Sequence, residues 1–125
     1  METVKKKTLF QKERLLKMLG LCRKAGRIVA GTELTCLEMA AKKPPCLAVL
    51  ASGASLGTQK KIRTKSEYYG IPLLVIDCTP EELGGAIGKS AGIAAAAVKD
   101  ENFAKELVRI ESSGKESSPE AEDEI

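Results

Sequence analysis

Histidine and tryptophan are absent from this 125-residue chain, and phenylalanine and tyrosine occur twice each, so aromatic rings make up only 3% of it. Without histidine, no Ser–His or Cys–His nucleophile pair can be assembled. The acids within the body are scattered, with no pair placed for acid–base work. The sequence therefore reads as a non-enzyme. So few rings leave the core to aliphatic side chains and argue against a base-stacking platform, which needs several exposed rings. The four cysteines, Cys22, Cys36, Cys46 and Cys78, form no C-x-x-C pair. A zinc site would need four ligands clustered in short pairs, so neither a zinc site nor any other cofactor is expected. The N-terminus METVKKKTLF lacks the apolar run of a secretory leader. The longest apolar stretches, such as CLAVLA at 46–51, fall far short of the roughly 18 residues of a membrane span. The expectation is a cytoplasmic protein with reduced thiols and no membrane partner.

What is present fits one soluble domain: 43% hydrophobic and 30% charged residues in a length that can bury a single core. The net charge of +3 is unevenly spread. From Glu111 to Ile125 six acids stand against Lys115, a net of −5, so residues 1–110 carry the remainder, +8. A body that basic suits a polyanionic partner, although many soluble proteins are equally basic.

The pattern of apolar residues divides the chain into a basic, disordered lead (1–8), one α/β domain (9–111) and a Ser/Glu-rich, acidic, disordered tail (112–125). QKERLLKMLGLCRKAG (11–26) places Leu15, Met18, Leu19 and Cys22 at helical spacing, with Gly26 as the stop. Arg27 to Ala30 is a brief extended segment, and Gly31-Thr32 opens a second helix through Lys42, ended by Pro44-Pro45. CLAVLA is a strand covered on both faces, SGASLG (52–57) a loop, and 58–69 a polar helix. That helix should bury Ile62, Ser66 and Tyr69, with one of Tyr68 and Tyr69 in the core and the other a surface ring. PLLVID (72–77) is a second buried strand. Thr79-Pro80-Glu81-Glu82 is a helix start with a capping box, running to about Gly88. GIAAAAV (92–98) is a third strand, and Phe103, Leu107 and Ile110 share one face of a last helix. Helices alternating with short apolar strands imply an α/β sandwich with helices on both faces of one sheet. GGAIGKS (84–90) imitates a phosphate-binding loop, but the first glycine is one residue out of place and a capped helix precedes it, so nucleotide hydrolysis is not expected.

LLKMLGLCRKAGRIVAGTE, EYYGIPLLVID, EELGGAIGK and NFAKEL follow in one order over residues 9–110. As a set they resemble the family of ribosomal proteins L-seven-Ae and L-thirty-e and the Gadd-type proteins, nearest to its bacterial YlxQ-type branch. The resemblance implies a three-layer α/β/α sandwich with a small central mixed sheet, and RNA binding, often of kink-turns. It also implies that Lys24, Arg27, Gly31, Thr32, Glu33, Thr35, Lys60, Lys61, Arg63, Lys89, Ser90 and Gly92 converge on one edge to hold structured RNA. Independently, a helix N-terminus offers unpaired N–H groups and a positive dipole to phosphate, and Gly31 would let the phosphate come close. Gly31 equally fits a plain strand-to-helix turn, and the lysines of 60–65 a solvated helix face.

One stretch departs from the family. Kink-turn binders carry G-x-(Asn or Lys)-(Glu or Gln)-x-x-Lys at this helix start, whereas the chain reads Gly31-Thr32-Glu33-Leu34-Thr35-Cys36-Leu37. Glu33 adds negative charge, and Leu34 and Leu37 offer no donors or acceptors to base edges. The expectation is a monomer that grips RNA by its backbone, ribosomal RNA included, in association with the ribosome or translation proteins and with weak or altered kink-turn specificity. The alternative is a protein–protein adaptor on the same fold, using Leu34 and Leu37 as apolar contacts.

Overall fold

Along the run Leu47–Ala51 every side chain is buried, and the odd and even positions belong to two different cores. Leu47, Val49 and Ala51 face one core, Ala48 and Leu50 the other. A strand that alternates between two apolar layers must be sandwiched, because successive side chains point to opposite sides of a sheet. The computed structural model describes residues 2–123, with side chains described for 10–112. In chain order the elements are α1 (Glu2–Lys24), β1 (Ile28–Ala30), α2 (Thr32–Met39), β2 (Leu47–Ala51), α3 (Leu56–Tyr69), β3 (Leu73–Ile76), α4 (Pro80–Ala86), β4 (Ala95–Val98) and α5 (Glu101–Asp123). The expected lead at 1–8 and, past Ser112, the expected acidic tail fall outside the residues whose side chains are described.

The sheet order is β1-β4-β2-β3. β2 pairs parallel with β3, while β4 runs antiparallel to both β1 and β2. The sheet is therefore mixed, with helices on both faces. α1, α4 and α5 cover one face through Leu15, Leu19, Cys22, Leu83, Ile87, Leu107 and Ile110. α2 and α3 cover the other through Cys36, Met39 and Ile62. Leu19 and Leu107 are wholly buried, and each such leucine contributes about 2 kcal/mol from apolar area removed from water. Among the described residues, no helix is long and apolar enough to cross a membrane.

Several boundaries differ from the sequence reading. The extended segment before Gly31 is a sheet strand, β1, which makes four strands where three buried ones were expected. α2 stops at Met39, not Lys42, because Met39 is the last residue with a core to enter before the exposed stretch 40–44. α3 starts at Leu56, inside the expected loop, because the Ser55 hydroxyl accepts the Thr58 N–H at 3.2 Å and caps the helix. α4 does carry the expected capping box, with the Thr79 hydroxyl accepting the Glu82 N–H and the Glu82 carboxylate accepting the Thr79 N–H, each at 3.0 Å, but it ends at Ala86. β4 begins only at Ala95, since the Ile93 N–H is taken by the Pro80 carbonyl at 2.9 Å. Neither tyrosine is core: Tyr68 is 79% and Tyr69 39% exposed. The Gly70 turn at φ 69° brings Ile71 inward instead.

Burial pushes the Cys22 and Cys78 thiols up to about 11 each, chiefly by desolvating the thiolate. Cys46 is the half-exposed cysteine of the four. Brief iodoacetamide treatment of the native protein near pH 8 is therefore expected to alkylate Cys46 and spare Cys22 and Cys78 until denaturant is added. Peptide mapping checks this, and equal labelling of Cys22 in the native state would contradict the packing described.

Candidate functional site

Because β1 and β2 both oppose β4, and β3 runs with β2, three strands end where β4 begins. At that end the chain makes four connections: the β1–α2 joint at Gly31, the β2–α3 loop, the β3–α4 loop, and the α4–β4 loop. Backbone bonds stitch them together. The Gly31 N–H reaches the Ala95 carbonyl at 2.8 Å, Ala51 N–H the Ala94 carbonyl at 2.9 Å, and Gly53 N–H the Cys78 carbonyl at 3.0 Å. The Ser52 hydroxyl also donates to the Asp77 carboxylate at 3.1 Å. Three helices start at this end, so three positive dipole ends point toward it.

Their caps differ. α3 is capped by Ser55 and α4 by Thr79, whereas Gly31 caps α2 without a side-chain hydrogen bond. Gly31 sits at φ 115°, ψ 145°, a region that side chains beyond hydrogen strain to adopt. The first-turn N–H groups of α2 are therefore not taken up by a capping side chain, the condition in which a helix start offers donors to an oxyanion.

Around this start the structure collects part of the expected set. Thr32 opens α2, half-buried, and Glu33 projects with its side chain 81% exposed. Glu33 pairs with Lys61 of α3 at 3.0 Å, and this hydrogen bond and the charge behind it raise the Lys61 pKa above its ordinary value. Lys60 and Arg63 are exposed on the same helix. Lys89, Ser90 and Gly92 are exposed in the α4–β4 loop, which is held flat on α4 by the Lys89 N–H bond to the Gly84 carbonyl at 2.8 Å. One residue outside the expected set also reaches this loop. A Cβ built on Gly88 would lie 3.3 Å from the Arg23 guanidinium, so α1 brings a cation beside Lys89. In the sequence Arg23 was one of several charges on a polar helix face, with nothing to single it out.

Three expected residues do not join. Thr35 is fully buried, so it has no surface with which to touch RNA; its hydroxyl has no hydrogen-bond partner in the structure. Arg27 stands at the opposite end of β1, ion-paired with Asp100 at 3.8 Å, its carbonyl accepting the Lys99 N–H. Lys24 closes α1 on that same side, just ahead of the turn into β1. The helical surface around Gly31 is instead bordered by Leu34 and Leu37, which are 51% and 66% exposed. An open apolar groove of about 620 Å³ lies away from this end, between Cys46, Leu47 and Pro72 and the Ala104–Val108 side of α5.

A mixed four-stranded sandwich with this set of loops is the architecture of a known class. Residues 13–108 match the Ribosomal protein L7Ae/L30e/S12e/Gadd45 family, and the chain belongs to it. It is 33% identical over 93 residues to the RNA-binding protein YlxQ of Bacillus subtilis (strain 168), spanning 74% of this chain and 90% of that protein. It is 30% identical over 99 residues to the RNA-binding protein YlxQ of Enterococcus faecium, spanning 79% and 92%. Among solved structures, a Bacillus halodurans protein of unknown function matches with a TM-score of 0.70 at 31% identity, over 77% of this chain and 94% of that one. The Giardia lamblia 15.5kD RNA binding protein matches at 0.69 with 17% identity, over 84% and 88%, a likeness of fold alone. The family and the YlxQ-type branch that the sequence resembled are those found.

Proposed function

We propose that this chain is a non-catalytic protein that binds structured RNA at the strand-end surface around Gly31, in association with the ribosome or the translation apparatus. The observation that carries the reading is the α2 start left without a side-chain cap, with Lys60 and Arg63 exposed on α3 and Lys89 on the α4–β4 loop, in a chain whose two YlxQ relatives are named RNA-binding proteins. The α2 N–H groups and helix dipole would take a phosphate, and Lys60, Arg63 and Lys89 its neighbours along the backbone. Thr32, Ser90 and Gly92 add polar or open backbone within the same surface. Leu34 and Leu37 give no hydrogen bonds to base edges, so affinity comes from phosphates and kink-turn preference is weak.

Titrating a kink-turn, a plain duplex and ribosomal RNA at two salt concentrations tests this. With about four phosphate contacts, affinity for all three should fall roughly a hundredfold for a fourfold rise in salt. No binding at low salt refutes the proposal, and a strong kink-turn preference refutes the part concerning specificity.

The exposure of Leu34 and Leu37, three residues apart on α2, favours a second reading, an adaptor that docks a partner protein. Co-purification of a partner unaffected by RNase, and lost in Leu37→Glu, would favour the adaptor; RNase-sensitive co-purification favours RNA.

A further inference from the structure

The aromatic rings of this chain are scarce, yet both tyrosines lie side by side on the surface at the end of α3. Tyr68 is 79% exposed, and the 39%-exposed Tyr69 meets it edge-on, with ring centroids 4.8 Å apart and planes at 89°. An exposed ring braced at right angles by its neighbour keeps one π-face open and loses little freedom when something flat lies on it. The helix leading to it is basic: Lys60, Lys61, Arg63 and Lys65 against Glu67. Positions 61, 65 and 68 follow at helical spacing, so Lys61, Lys65 and Tyr68 share one stripe. That stripe starts at the Glu33–Lys61 pair beside the α2 N-terminus and runs about 10 Å along the helix to the ring.

Cations that follow a backbone and end on an open ring are the two elements by which proteins hold unpaired nucleic acid: an electrostatic track and a stacking face. We infer that α3 is a second RNA subsite, in which an unpaired strand leaving the structured element at Gly31 runs along Lys61 and Lys65 and stacks a base on Tyr68. This rests on the RNA-binding reading above and extends it. A single braced ring is no multi-base platform, so the subsite is tolerant of sequence and holds one base.

The chain supplies its own reporter. It has no tryptophan, and its only two tyrosines are these, so intrinsic tyrosine emission reads the subsite directly. The test uses the full chain with a blunt RNA duplex, the same duplex bearing a uridine overhang of about twelve nucleotides, and the free oligouridine, a length within the usual single-strand site size. Tyrosine emission should be quenched saturably by the overhang and by the oligouridine. The overhang should tighten binding; Tyr68→Ala should lose about tenfold in affinity for it, leaving the blunt duplex unchanged, while Tyr68→Phe keeps the gain. Unquenched emission at saturation, or Tyr68→Ala binding the overhang as the wild type does, overturns the subsite. If salt-sensitive binding of the blunt duplex persists in that case, the surface at Gly31 stands without it. Failure to bind any of the three RNAs overturns both.

Discussion

Alanine at Gly84 is expected to cost the fold about 3 kcal/mol, near the upper end for an overpacked site. A Cβ there would lie 2.3 Å from the Ala91 carbonyl oxygen and 3.3 Å from the Ile93 nitrogen. Both are backbone atoms, so no rotamer change relieves the clash. The loop would have to lift from α4, taking with it the Lys89 N–H bond to the Gly84 carbonyl and the positions of Lys89, Ser90 and Gly92. Stability and RNA affinity should therefore fall together. The adjacent glycine is the control. A Cβ on Gly85 meets nothing within 4 Å, and Gly85 is exposed. Gly85→Ala should stabilise by up to about 1 kcal/mol through helix propensity alone. Urea denaturation of the two variants should move the midpoint in opposite directions; shifts of the same sign would refute this account of the α4–loop contact.

Charge reversal at Glu33 is expected to tighten RNA binding by about tenfold at low salt, with the gain shrinking as salt rises. Glu33 puts a carboxylate on the first turn of α2, where phosphate would approach, and it also occupies Lys61 at 3.0 Å. Glu33→Lys removes that repulsion, frees Lys61 and adds a cation. Glu33→Gln, which only removes the charge, should give a smaller gain. The pair raises the Lys61 pKa, so whatever stability it adds is fully present below the lysine's unfolded pKa and is lost as pH rises through its folded value. At neutral pH it is intact in the free protein. It is also exposed, so losing it should disturb stability little beyond the carboxylate's contact with the helix dipole. Parallel salt titrations of wild type and both variants measure the change in slope; an unchanged affinity in Glu33→Lys would place the bound phosphates elsewhere.

Most of the fold was legible because it is written in short-range chemistry. The apolar run at 47–51 announces a strand covered on both faces, and Thr79-Pro80-Glu81-Glu82 a capped helix start, and both stand in the structure. Ser55 does not stand out as a helix start because a serine among glycines also makes an ordinary loop, and only the Thr58 N–H it accepts tells the two apart. β1 shows in the sequence only as an extended segment because three residues carry no period, and only pairing with β4 makes them a strand. The site was half legible. Gly31 and its neighbours in sequence are local. The burial of Thr35, the retention of Arg27 by Asp100 and the arrival of Arg23 beside Gly88 depend on packing between distant elements. No spacing rule within α1 or α2 encodes them.

Near the start of the described side chains, the Gln11 amide of α1 donates to the Glu111 carbonyl on α5 at 2.8 Å, across a separation of 100 residues. Leu15 and Leu19 share their core with Leu107 and Ile110. Sequence-distant contacts close late, because the loop entropy between them must be met before they are rewarded. The parallel β2–α3–β3 unit can form from a chain segment of about thirty residues, whereas the α1 side of the sheet waits for α5. During synthesis α1 and α4 can therefore shield that face of β2 and β3 only in part, and its core closes when Leu107 and Ile110 become available.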